Sequence, residues 1–385
     1  MIPYGKQDIN ETDIEAVIEV LKSDFLTQGP KVELFENSVA KYCGANYGVA
    51  VNSATSALHI ACLALGLKRG DTLWTSPNTF VSSANCALFC GANVDFVDID
   101  PHTYNLCPDE LEKKLIKAKQ EDKLPKIVIP VHFAGQSCDM KRIFSLSEEY
   151  NFKIIEDASH AIGGKYLGQP IGDCRFSDIT VFSFHPVKII TTAEGGLATT
   201  NNSKLSDQMK LLSSHGVTRD HKLMTKESEG AWYYQQIDLG FNYRMTDIQA
   251  ALGISQMKRL DNFVSSRHIL KSRYDRKLKS LPLTLPFQSE YNYSALHLYP
   301  ILIELEKVNK SHSSIFEELR KKGIGVNVHY IPVHTQPHYL NLGFKLGDFP
   351  NAEQYYSKAI SIPLFSLMTN EQQDEVVNVL EEVLT

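Results

Sequence analysis

Over the first 250 positions, short branched or aromatic runs alternate with longer stretches whose apolar residues recur at helical spacing. Tyr47-Gly48-Val49-Ala50-Val51, Asp71 to Trp74, Val94 to Val97, Lys126 to Val131, Lys153 to Asp157 and Ile179 to Phe184 have the residue types and lengths of strands. Helices are expected from Asn10 or Thr12 to Ser23, Lys31 to Tyr42, Leu58 to Leu67, Cys138 to Glu149 and Lys204 to Ser214, with another opened by Asn78-Thr79-Phe80. Such alternation predicts an α/β fold with a mostly parallel sheet flanked by helices. Leu197 to Thr200 is expected to pair back on it, 217–236 is charged and irregular and reads as a mobile loop, and Thr246 or Asp247 opens a helix through Leu252.

From about Ile254 the texture changes. A long charged helix is expected to run to Leu281, followed by a proline-containing break, a strand at Leu298 to Leu305 and a helix from Lys310 to Lys322. Then come a segment at Val326 to Tyr330, a loop rich in His and Pro, and a final helix from Thr369 with Gln372 completing a capping box. The pattern divides the chain into a large domain over 1–253 and a smaller α+β C-terminal domain over 254–385.

A chain of 385 residues can bury such cores without disulfides or a structural metal. Its net charge of -6 leaves no basic surplus for a nucleic-acid backbone, so no nucleic-acid partner is expected. The seven cysteines form no C-x-x-C pair and are expected to be reduced, and no apolar run reaches membrane-spanning length. The start, Met1-Ile2-Pro3-Tyr4-Gly5, lacks a basic and apolar leader, and a cytoplasmic location is expected. Cys86 and Cys90 share a helix face, but without further ligands beside them they read as core. His329, His334 and His338 sit on a proline-broken loop without nearby carboxylates, so no metal is expected.

Three strand ends carry candidate chemistry. Asn52-Ser53-Ala54-Thr55-Ser56-Ala57 hands a strand to a helix N-terminus, whose unpaired N–H groups and hydroxyls suit either capping or a phosphate. It is neither a P-loop nor a G-x-G-x-x-G turn. Asp157 ends an apolar strand, where it either caps a turn or holds a proton on a bound heterocyclic nitrogen, with His160 about one helical turn on. Lys188 follows Ser183-Phe184-His185-Pro186-Val187 just past a third strand's carboxyl end, where open α/β sheets bind ligands. Phe80, at a loop-to-helix junction, suits either the core or the face of a flat ring. An amine, an acid and a phosphate anchor are together what pyridoxal 5'-phosphate requires.

These words, with Glu156-Asp157-Ala158-Ser159-His160-Ala161, Glu194-Gly195-Gly196 and Gly240-Phe241-Asn242-Tyr243-Arg244, resemble the DegT/DnrJ/EryC1/StrS family of sugar aminotransferases over nearly the whole chain. The resemblance implies a fold-type I pyridoxal phosphate-dependent transferase with a seven-stranded sheet. It implies that Lys188 is the Schiff-base lysine and proton carrier, that Asp157 keeps the ring nitrogen protonated, that Phe80 stacks on the ring and that His160 lies beside its phenolic oxygen. The phosphate is expected to take Ala54, Thr55 and Ser183 from one subunit and Asn242 from its neighbour, which makes a homodimer the minimal unit. The sugar nucleotide is expected to meet Tyr4, Asp24, Phe25, Leu26, Thr27, His329 and Tyr330, together with Ala54, Ser183 and Asn242.

Within the family, Thr191-Thr192-Ala193-Glu194-Gly195-Gly196, Leu26-Thr27-Gln28-Gly29 and Val328-His329-Tyr330 resemble the transaminases of pseudaminic acid synthesis. That likeness implies L-glutamate as donor, 2-oxoglutarate as product, and C4 of a UDP-linked 4-keto-6-deoxy-N-acetylhexosamine as acceptor. His185-Pro186-Val187 and Ser159 depart from the commoner family spellings without touching the acid or the lysine. Lysine at 188 argues against the relatives that carry histidine there and remove the C3 hydroxyl. Other readings are the same chemistry on another keto-sugar, an idle sugar-nucleotide binder, and an enzyme in which Lys188 only contacts a phosphate.

Overall fold

Seven strands build the central sheet of the computed structural model, which describes residues 1–385. They are β1 (Tyr47–Val51), β2 (Thr72–Thr75), β3 (Asn93–Phe96), β4 (Ile127–Ile129), β5 (Lys153–Asp157), β6 (Ile179–Ser183) and β7 (Gly196–Thr200), in the spatial order β1-β7-β6-β5-β4-β2-β3. The pairs from β6 across to β3 are parallel, and β7 alone runs against its neighbours, antiparallel to both β6 and β1. The sheet is thus the mostly parallel one expected. β6, Ile-Thr-Val-Phe-Ser, is buried at all five positions and so on both faces of the sheet, with Thr180 and Ser183 as its polar members.

The helices through the large sheet region are α1 (Glu11–Leu21), α2 (Pro30–Cys43), α3 (Ala54–Ala64), α4 (Ser82–Phe89), α5 (Pro108–Gln120), α6 (Met140–Tyr150), α7 (Ser203–Ser213), α8 (Asp247–Met257) and α9 (Leu260–Lys277). α3 begins directly after β1 because Ser53 caps it, accepting from the Ser56 amide at 3.1 Å. Its Leu58 and Ile60 are buried in the core, each contributing about 1.5–3 kcal/mol of apolar burial. α5 is not among the helices expected from the sequence. Only Leu111, Leu115 and Ala118 of this lysine-rich helix are buried, a thin stripe at i, i+4, i+7.

Two expectations shift. The single long helix expected to reach Leu281 is split, α8 ending at Met257 and α9 starting at Leu260. Arg259 leaves helical geometry at the joint, and its guanidinium is held by Asp8 Oδ1 at 2.7 Å and the Asp8 carbonyl at 2.8 Å. The stretch 217–236 closes as a hairpin, Val217–Thr218 pairing antiparallel with Gln235–Gln236.

A second core lies in the C-terminal part, around the antiparallel strands β8 (Leu283–Thr284), β9 (Tyr299–Ile303) and β10 (Ala359–Ile362). The final helix, Asn370–Leu384, has the Thr369/Gln372 capping box. Val326 to Tyr330 is extended chain bridged to β10 only at Asn327–Ser361. Further along it the Tyr330 amide donates to Asn78 Oδ1 at 3.2 Å instead of to a strand partner, which carries His329 and Tyr330 across to the large sheet. No helix is long and apolar enough to cross a membrane.

Candidate active site

A cavity of about 930 Å³ opens beyond the carboxyl ends of β1, β5 and β6, and Tyr4, Ala54, Thr55, Phe80, Asp157, His160, Ser183, Lys188, His329 and Tyr330 all line it. Residues distant in sequence meet there because parallel strands deliver their carboxyl ends to one edge. Asp24, Phe25, Leu26, Thr27 and Asn242 do not line it; all five are exposed. Leu26 and Thr27 lie against the start of α8, the Leu26 carbonyl accepting from the Asp247 amide at 3.0 Å, and Asn242 bridges Ser214 on the surface.

Alternation along β5 explains its paired acids. Asp157 faces the cavity, while Glu156 points to the opposite side and meets His132 Nε2 at 2.7 Å. Asp157 is buried and both oxygens are engaged: Ser83 Oγ donates to Oδ2 at 2.6 Å and the Ser159 amide donates to Oδ1 at 3.1 Å. Ser83 is itself 2.8 Å from Thr79 Oγ1, so the start of α4 holds this carboxylate. Ser82, on the same turn, lies 2.8 Å from Thr55 Oγ1.

The Lys188 amide donates to the His185 carbonyl at 2.9 Å, while its side-chain nitrogen makes no hydrogen bond within the chain. Burial pushes its ammonium down to about 8, against the opposing pull of Asp157. His160 is driven well below the usual histidine range by burial and then by Lys188, and is neutral. The Ala134 amide donates to its Nδ1 at 3.3 Å, so Nε2 carries the hydrogen and donates to the Tyr330 hydroxyl at 3.0 Å. His329 is pushed down to about 3, by burial first and Lys188 second, and its Nδ1 lies 2.9 Å from Ser361 Oγ. His334 instead meets Glu353 at 2.9 Å, a carboxylate that the linear sequence does not put beside the histidine loop.

The residues fit pyridoxal phosphate. With Ser53 capping Ser56, the Ala54 and Thr55 amides at the positive end of α3 have no partner in the chain. β7 approaches that end so closely that a Cβ on Gly196 would lie 2.4 Å from the Ala54 nitrogen. The hydroxyls of Thr55 and Ser183 line the same cavity, Phe80 exposes 59% of its surface there, and Asp157 stands as an anchored anion. Gln249, Asn327 and His297 also line the cavity, and neither they nor Ser83 and Ser159, which hold Asp157, are among the site residues expected from the sequence. The serines at the start of α4 were legible as helix-opening hydroxyls, but His297, in Ser294-Ala295-Leu296-His297-Leu298, carried no local signal.

A sequence profile described as the DegT/DnrJ/EryC1/StrS aminotransferase family matches residues 7–381. Among curated proteins, the chain is 38% identical over 386 residues to spore coat polysaccharide biosynthesis protein SpsC of Bacillus subtilis, covering 100% of this chain and 97% of that one. It is also 38% identical over 390 residues to a UDP-4-amino-4,6-dideoxy-N-acetyl-beta-L-altrosamine transaminase of Campylobacter jejuni, covering 100% and 98%. Among solved structures, Helicobacter pylori PseC, an aminotransferase of pseudoaminic acid biosynthesis, superposes with a TM-score of 0.91 at 31% identity, covering 100% of this chain and 99% of that one.

Proposed function

This chain belongs to the DegT/DnrJ/EryC1/StrS aminotransferase family and is a pyridoxal phosphate-dependent sugar aminotransferase, and on that premise we propose that it moves the amino group of L-glutamate to C4 of a UDP-linked 4-keto-6-deoxy-N-acetylhexosamine. The end-to-end likeness to the Campylobacter transaminase carries this choice of acceptor. The product is a UDP-4-amino-4,6-dideoxy sugar for a surface glycan. SpsC, at the same identity, favours a second reading in which another nucleotide-linked keto-sugar serves.

In this proposal, when bound, pyridoxal phosphate supplies an aldehyde that takes the amino group and a cationic ring that accepts the electron pair freed at the donor α-carbon. The chain's part is binding, orientation and proton transfer. The Ala54 and Thr55 amides and the Thr55 and Ser183 hydroxyls hold the phosphate. Asp157, fixed by Ser83 and Ser159, keeps a proton on the ring nitrogen, and Phe80 covers the ring face. Lys188, whose midpoint near 8 leaves a minority of the amine unprotonated just above neutral pH, is the nucleophile that would hold the cofactor and would then move the proton at the donor α-carbon and at sugar C4. His160 orients the ring's phenolic oxygen. Tyr4, His329 and Tyr330 meet the sugar nucleotide. Asp24 to Thr27 and Asn242, exposed and outside their own cavity, are read as contributions to the cavity of a second copy in a homodimer.

The test is the absorbance spectrum of the cofactor-loaded protein with L-glutamate, then with each candidate UDP-keto-sugar. Glutamate is expected to shift the cofactor band, and the 4-keto-6-deoxy-N-acetylhexosamine to restore it fastest. Faster restoration by another keto-sugar selects the second reading. A band that glutamate leaves unmoved overturns glutamate as donor.

A further inference from the structure

His297 is 5% exposed, lines the cavity, and makes no side-chain hydrogen bond within the chain. Its backbone is fixed, the amide donating to the Ala134 carbonyl at 2.9 Å and the carbonyl accepting from Arg267 Nη1 at 3.2 Å. Its ring centre lies 4.4 Å from that of His160. Nδ1 is sealed from solvent without a partner, which leaves Nε2 as the ring atom open to the cavity. A buried imidazole with neither nitrogen satisfied is costly unless a ligand completes it.

The surroundings define the ligand's charge. Arg267 lies behind His297, fully buried and without a carboxylate partner; its Nη1 bonds only to the carbonyls of Leu296, His297 and Leu364. Lys188, His160 and His329 complete this side of the cavity, all cationic or neutral. The cavity's carboxylates are Asp157, whose oxygens are both engaged, and Glu194. No arginine lines it. An amino-acid donor must nevertheless place at least one carboxylate here. Burial, and then His160, Lys188 and Arg267, hold His297 neutral. With Nδ1 sealed as a lone pair, the less costly orphan, its hydrogen sits on Nε2, where it can donate.

We propose that His297 Nε2, in the recess backed by Arg267, is the hydrogen-bond donor that recognises a carboxylate of the amino-acid donor. The inference rests on the aminotransferase reading but not on the identity of the sugar. It gives His297 a role in the glutamate half-reaction alone.

The experiment uses cofactor-loaded protein and glutarate, a dicarboxylate that cannot transfer an amino group, with binding measured by calorimetry. His297→Phe is expected to weaken glutarate at least tenfold and to raise the L-glutamate concentration for half-maximal single turnover by a similar factor. Cofactor affinity and the sugar-nucleotide half-reaction should stay within about twofold, and His297→Asn, which retains a donor, should recover part of the loss. Unchanged glutarate affinity, or equal losses for glutarate, cofactor and sugar nucleotide, overturns the proposal. Wild-type protein answers without any substitution: glutarate should move one histidine Nε2 resonance in ¹⁵N spectra, and no movement overturns it as well. Failure of the sugar assignment would leave these readouts intact, whereas failure of the aminotransferase reading would abolish the glutamate-driven band shift in the wild type.

Discussion

The Tyr330 hydroxyl lies 3.0 Å from His160 Nε2, and because Ala134 occupies Nδ1, the histidine is the donor of that bond. The phenol's own proton is therefore free to point into the cavity. Burial, and then the Asp157 charge, push the phenol well above the usual tyrosine range, so it stays a neutral donor. Tyr330→Phe is expected to lower kcat/KM for the sugar nucleotide about 10- to 100-fold, the ~1.5–3 kcal/mol of a hydrogen bond to a charged group. The band shift with L-glutamate should persist. Loss of bound cofactor instead would mean that Tyr330 acts through His160 on the ring.

As the proposed Schiff-base lysine, Lys188 should set a pH dependence of cofactor uptake. Only the unprotonated amine attacks an aldehyde, and with the amine's midpoint near 8 that fraction rises with pH and then levels off. The rate of pyridoxal phosphate attachment to apoprotein should climb about tenfold per unit below the midpoint and flatten above it. An ordinary lysine, at about 10.4, would still be climbing at pH 9. Removing the Asp157 charge removes the one influence that raises Lys188, so Asp157→Asn should move the bend to lower pH. Stopped-flow absorbance across pH 6 to 10 distinguishes these profiles.

Gly196 permits the close approach of β7 to the end of α3 that is proposed to hold the phosphate. An added Cβ would meet the Ala54 nitrogen and the Ser53 carbonyl carbon at 2.4 Å, both backbone atoms that cannot rotate away. Gly196→Ala should cost about 1–3 kcal/mol of stability, as overpacking does, and weaken cofactor binding at least about tenfold as the end of α3 shifts. Thermal unfolding with and without pyridoxal phosphate tests both parts. A variant that loses stability but keeps its affinity would show that α3 moves without opening the cradle.

Much of this site was legible because its chemistry sits at strand ends. β1 and β5 coincide with the runs expected from their apolar residues; β5 ends at Asp157, which lines the cavity, and β1 leads into Ala54 and Thr55, which line it too. Lys188, Asp157 and the 54–55 turn stood out for that reason. What escaped was long-range: Ser83 reaches Asp157 across 74 residues, and Arg267 contacts Leu364 across 97, pairings that no local pattern encodes. The division of α8 from α9 escaped likewise, because it depends on Arg259 meeting Asp8, which periodicity within the helix does not report.

Asn242 offers the sharpest test of assembly. Its side chain is exposed and absent from the cavity of its own chain, while its carbonyl lies only 3.5 Å from Asn52 Nδ2 at the mouth of the phosphate turn. If it completes the cavity of a second copy, Lys188→Ala and Asn242→Ala lie in different chains of each site. Each variant alone should be nearly inactive. Mixing them under conditions that exchange subunits should then restore activity, because half of a random mixture is hybrid and one of the two sites in each hybrid carries neither lesion. That amounts to about a quarter of all sites. Recovery near that level, rising with exchange time, establishes shared sites in a dimer. No recovery after verified exchange places Asn242 and Lys188 in the same site of one chain.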